Sequence, residues 1–183
     1  MDSTIIALII GGVVLGVLAL MYNSLVRLRN QVQNAWSQID VQLKRRHDLI
    51  PNLINTVKGY AKHEKQLLTD ITKERSAVMD TSDVKKKAEH SNQLSETLKS
   101  LFAVAENYPD LKANQNFLQL QEELSGTENK ISYARQHYND MVQYFNTKLE
   151  QFPVNMIANV FNFKKEDYFE TPENQRKNVS VSF

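Results

Sequence analysis

Apolar residues open this chain as an unbroken run. Past Tyr22 they recur instead in steps of three and four. The run IIALIIGGVVLGVLALMY, Ile5 to Tyr22, is 18 residues long, and no charged side chain occurs from Ser3 to Val26. As a helix it measures about 27 Å, against a hydrocarbon core of roughly 30 Å. Its eleven Ile, Leu and Val residues favour insertion by about 5 kcal/mol before the glycines subtract some. A cleaved signal peptide would need a basic leader, a shorter run and a small-x-small cleavage site. The leader here is Asp2, and Met21-Tyr22-Asn23 offers no such site. The pattern predicts an uncleaved, single-pass anchor. Arg27, Arg29, Lys44, Arg45 and Arg46 all follow the span and no basic residue precedes it. That asymmetry predicts an N-terminus outside the membrane and a domain inside the cytoplasm. Gly12 and Gly16 form a GxxxG, a weak signal for close packing between membrane helices, where glycine is common anyway.

Beyond Tyr22 the stripe Leu25, Leu28, Val32, Ala35 or Trp36, Ile39, Leu43, Ile50, Leu53, Val57, Tyr60 marks one face of a long helix. No breaker separates it from the span, so one helix of about 55 residues is expected. Pro51 falls inside and should kink it or end it locally, because it lacks an amide donor and clashes with the preceding turn. A second helical region begins near His63 and carries Leu67, Leu68, Ile71 and Val78. It is interrupted at Asp80-Thr-Ser-Asp83, where Ser or Asp can cap a restart, and resumes with Leu94, Leu98, Leu101, Phe102 and Ala105. Asn107-Tyr-Pro-Asp110 stops it. A third long helix carries Phe117, Leu120, Leu124, Ile131, Ala134, Tyr138, Met141 or Val142, Phe145, Leu149 and Phe152, and closes at Pro153. A short helix with Met156, Ile157, Val160 and Phe161 follows.

The expected fold is all-α: a transmembrane helix continuing into an elongated up-and-down bundle of about four helices. The divisions expected are an anchor over residues 1–25, a cytoplasmic bundle over 26–163 and a polar tail over 164–183. Composition narrows the function classes. The 22 Lys+Arg and 21 Asp+Glu nearly cancel, which argues against nucleic acid as a partner. With no cysteine, thiol catalysis, disulfides and Cys-based metal sites are excluded. Only Gly59 and Gly126 lie outside the anchor, too few for a phosphate-binding glycine loop. His63-Glu64 begins a zinc-protease motif but residue 67 is Leu, and His47, His63, His90 and His137 are scattered. Neither a metal nor another cofactor is expected, and no catalytic residue is nominated.

Two interruptions of the apolar stripes stand out. Arg46, next to Arg45, falls where the first stripe calls for an apolar residue, and Thr127 and Glu128 break the stripe of the last long helix. With the first and third long helices taken as parallel, Arg46 and Glu128 come within about one turn of the same height, roughly 6 Å. The expectation is an interhelical pair between Arg45 or Arg46 and Glu128 that fixes register. A lipid-binding role fits poorly roughly 30 Å from the membrane. Trp36, too far from Tyr22 for an interfacial belt, reads as core.

Longer stretches resemble the LemA family: Tyr22-Asn-Ser-Leu-Val-Arg-Leu-Arg-Asn30, Ala35-Trp36-Ser-Gln-Ile-Asp40, Leu43-Lys-Arg-Arg46, Asp48-Leu-Ile-Pro-Asn-Leu53, and Val57-Lys-Gly-Tyr60. Tyr108-Pro-Asp-Leu-Lys-Ala113, Phe117, Leu120, Glu128-Asn129, Ile131, Ala134-Arg135, Tyr138-Asn139, Phe152-Pro153 and Tyr168-Phe169 agree. The resemblance implies a bacterial membrane protein with an outward N-terminus, a cytoplasmic bundle and no agreed catalytic residues. One branch of the family looks like a factor in magnetosome membrane formation, and others sit beside membrane proteases or phosphatase-like proteins. The partners so expected are the lipid bilayer, further copies of the chain (a homo-oligomer) and a second membrane protein, reached through the bundle or by strand addition of the tail from Val179 to Phe183.

Overall fold

A computed structural model describes residues 2–61 and 63–170. Within them the chain is all-helical: α1 (Ser3–Lys58), α2 (Lys65–Asp80), α3 (Val84–Ala105), α4 (Pro109–Lys112), α5 (Gln115–Glu150) and α6 (Val154–Val160). The 56 residues of α1 include both the apolar run and the first bundle stripe as far as Val57. Pro51 does not end it; α1 continues to Lys58. The side chains of the run are exposed, whereas Leu25, Val32, Ala35, Ile39, Leu43, Ile50, Leu53 and Val57 are buried. Arg46 is buried among them, at the position that the three-four count assigns to the seam.

Local chemistry sets the helix ends. Asp83 accepts a hydrogen bond from the Lys86 amide at 2.8 Å and caps α3. Pro109 opens α4, where its missing amide hydrogen costs nothing. The Asn114 side chain accepts from the Phe117 amide at 3.1 Å as α5 begins. Asn162, at φ 56°, ends α6. There the Phe163 amide donates to Ala158 O (2.9 Å) and the Asn162 amide to Asn159 O (3.2 Å), the paired bonds of a Schellman motif.

The helices form two compact units, one of residues up to Ser37 with His137–Asp167, the other of Gln38–Gln136 with the described residues from Tyr168 on. The second unit is an up-down-up-down bundle. Arg75 Nε on α2 donates to His47 O on α1 at 2.8 Å, and Glu74 on α2 meets His90 Nδ1 on α3 at 2.7 Å. Lys87 on α3 lies 3.5 Å from Asp40 on α1, which with the Arg46–Ser91 bond makes α1 and α3 parallel. Arg46–Glu128 and Tyr60–Asn114 contacts make α5 antiparallel to α1. The interruption at residues 81–83 is therefore a chain reversal. The parallel pairing of the first and last long helices assumed from the sequence is incorrect, since a fourth long segment comes between them.

The first unit adds ring contacts to buried aliphatic residues such as Leu25, Val32, Val142 and Ile157. Tyr22 packs on Phe161 (ring centroids 4.7 Å) and Phe163 (5.9 Å), Phe163 on Phe145 (6.5 Å), and Trp36 on Tyr138 (5.3 Å). Residues 164–170, read as the start of a polar tail, are held at several points. The Tyr138 hydroxyl donates to Asp167 O at 2.9 Å, Asn146 bonds the Glu166 backbone through both its oxygen and its nitrogen, and Phe169 is fully buried in the second unit. The residues from Val179 to Phe183, expected to add as a strand, lie outside those described.

Candidate functional site: a buried polar layer in the four-helix unit

Three helices bring polar groups to one level of the second unit's core. Arg46, 1 % exposed, stands on α1 between Leu43 and Ile50. Its Nη2 donates to Ser91 Oγ at 2.7 Å, and its Nη1 to Ser95 Oγ at 3.0 Å and Glu128 Oε2 at 2.8 Å. Ser95 Oγ lies 2.7 Å from Glu128 Oε1 and 3.0 Å from Ser91 O. Its single proton goes to the shorter, charged acceptor. Thr127, also buried, returns its hydroxyl to Glu123 O of its own helix at 2.7 Å. Arg45 does not reach the layer; its Nη2 stands 3.9 Å from Glu123 Oε2 near the surface.

Burial works against the charge on Arg46 and lowers its pKa, with the nearby Arg135 adding to that, while Glu128 opposes the shift through both its charge and its hydrogen bond. Arg135 is lowered mainly by burial as well. Its Nη2 donates to Asn92 at 2.8 Å, and its guanidinium carbon lies 5.0 Å from the Phe169 ring centroid. Burial also pushes the Tyr138 hydroxyl of the first unit up to about 12. The groups of the Arg46 layer face one another across α1, α3 and α5. Glu128 retains contact with solvent: its side chain is 38 % exposed and lines a cavity of about 240 Å³ with Leu98, Phe102 and Leu124.

Counting along stripes located Arg46 and Glu128 but missed Ser91 and Ser95. The signal was present: Ala88, Ser91, Ser95 and Leu98 follow one another on α3 in steps of three, four and three. The His90–Glu74 pair, with Glu74 buried, was missed because neither residue lies near the other in sequence. Among the described residues no group of three or more potential metal ligands comes together. Gly12 and Gly16 stand apart from all this. A methyl group added at either meets nothing within 4 Å.

The model of the LemA family matches residues 35–183. A Protein LemA from Metamycoplasma hominis is 31 % identical over 87 % of this chain and 74 % of its own length. Magnetosome protein MamQ 2 of Paramagnetospirillum magneticum is 21 % identical, with 84 % of this chain and 66 % of that protein aligned. Magnetosome protein MamQ of Magnetospirillum gryphiswaldense is 20 % identical, with 83 % and 65 % aligned. The chain thus spans about two thirds of the length of these magnetosome relatives.

Proposed function

This chain belongs to the LemA family, and from that premise we propose that it is a non-enzymatic, membrane-anchored helical scaffold. In this reading it self-assembles at the bacterial inner membrane and organises or remodels the bilayer. Its N-terminus lies outside and its bundle in the cytoplasm. One observation carries the proposal. The apolar half of α1 is long and apolar enough to span a membrane and is exposed along its length, and the same helix supplies the first core stripe of a bundle. Gly12 and Gly16 leave the exposed half open to a close neighbour. The relatives named as magnetosome proteins add support by analogy alone.

The test is the mass of the full-length protein extracted with its native lipid. Oligomers are expected, reduced by the double substitution Gly12→Leu, Gly16→Leu; finding only monomers would overturn self-assembly. An apolar groove favours a second reading, a monomeric adaptor for another membrane protein such as a protease. Ile54, Ala61 and Leu68 floor this groove of about 670 Å³ between α1 and α2, and Lys58 and Lys65 edge it. Monomers that retain a membrane-protein partner, and lose it on Leu68→Glu, are the outcome this reading expects.

A further inference from the structure

The junction of α5 and α6 carries apolar side chains on two faces. Val154, Ile157 and Ala158 are buried. Phe152, Met156 and Val160 follow one another in steps of four and are 81 %, 61 % and 79 % exposed, with Phe161 beside them at 58 %. A helix at the surface of a water-soluble domain needs one apolar stripe, the one turned to its core. The second stripe calls for an apolar environment outside the chain.

The neighbourhood identifies that environment. Phe161 packs against Tyr22, the residue that closes the apolar run of α1. Leu20 is still 71 % exposed, whereas Leu25 is wholly buried. Only about 4.5 Å of helix separates Tyr22 from Leu25, so no spacer holds this unit away from the end of the run. The turn at Asn162 then folds Phe163 back onto Tyr22, Phe145 and Arg29, which fixes the exposed stripe beside that end. The charge pattern agrees. Arg27 and Lys148 edge a groove of about 760 Å³ in this unit, which Asp140 also lines, and Lys164 is exposed just past the stripe.

We propose that Phe152, Met156, Val160 and Phe161 insert into the interfacial layer of the bilayer that α1 crosses, making the α5–α6 junction a second membrane contact. The stripe then lies at the acyl boundary, as in an interfacial helix, with the basic residues at the level of the lipid phosphates. The inference rests on the reading of α1 as a span, and its test separates the two.

The chain has no cysteine, so a single Met156→Cys carries a nitroxide at one place. The full-length protein is placed in nanodiscs of phosphatidylethanolamine and phosphatidylglycerol, with Leu15→Cys and Tyr133→Cys (74 % exposed in the bundle) as references. Circular dichroism checks that each variant keeps its helix content. Oxygen, which concentrates in lipid, and a water-soluble nickel chelate are the two relaxants. Position 15 should favour oxygen and position 133 nickel, with position 156 shifted clearly toward the value at 15. If 156 matches 133 while 15 favours oxygen, the span stands and the second contact is overturned. If 15 itself matches 133, both fall. If 156 excludes both relaxants and shows spin–spin broadening that fades on dilution with unlabelled protein, a second copy covers the stripe and the inference is overturned.

Discussion

The two units of this molecule solve the same packing problem with different materials. The first fits rings together: Tyr22, Phe145, Phe161 and Phe163 around one end, Trp36 on Tyr138 at another. The second has mostly aliphatic seams, joined by Phe117 and Phe169, and is interrupted by a charged layer of Arg46, Ser91, Ser95 and Glu128. Rings gain from area and tolerate small shifts along a helix. A buried guanidinium tolerates almost none, because each displaced donor is left without a partner in a place water does not reach. The aromatic unit should therefore be strong but permissive, and the four-helix unit exact in register.

Mutations can break that contrast. The largest loss is expected from Arg46→Ala, about 3–5 kcal/mol, read from urea unfolding of the full chain in mild detergent. Replacing the whole layer by Arg46→Met, Ser91→Ala, Ser95→Ala and Glu128→Leu should recover stability, because no polar side chain of the layer is then stranded. Reversal of Arg46 or Glu128 alone should destabilise, and the double reversal should regain part of the loss; failure to regain any would contradict a register-fixing pair. Phe145→Ala should cost a comparable amount, about 3–5 kcal/mol, with no polar rescue available.

Two smaller effects sharpen the comparison. Tyr138→Phe should cost about 1 kcal/mol for the lost bond to Asp167 O. The hydroxyl ionises near 10 in the unfolded chain but is held up to about 12 in the fold. Its contribution is thus fully present below about pH 10 and declines as pH rises toward 12. Thermal melts across that window should show a fall in melting temperature that Tyr138→Phe reduces. Asp83→Ala should lose about 1 kcal/mol with the α3 cap, with the unfolding midpoint moving and the slope unchanged.

Periodicity carried most of the helical reading. Stripes at three and four residues locate α1, α3 and α5, and the Tyr108-Pro109 stop is local backbone chemistry that needs no tertiary context. Direction is a tertiary property, and there the sequence misled. Residues 80–83 look alike whether the chain merely pauses or reverses, so α5 was set parallel to α1 when it is antiparallel. The Arg46–Glu128 contact nevertheless forms, because a charge in an apolar seam needs a partner in whichever direction the helices run. Phe169 was hidden by its charged surroundings: the pair Tyr168-Phe169 in a polar stretch has no period, yet Phe169 is fully buried.

The ring-packed unit is made from stretches that lie far apart in the chain. Residues up to Ser37 are synthesised first, and their partners from His137 onward follow roughly a hundred residues later. At about 5–20 residues per second, Leu25, Val32 and Ala35 wait roughly 5–20 s on the ribosome before the chain that covers them exists. The intervening Gln38–Gln136 can close its own bundle in that interval. Biogenesis of this protein is therefore ordered by its threading: α1 commits to its environment early, and both the aromatic clasp at Tyr22 and the seat of Phe169 in the second unit wait for the end of the described chain.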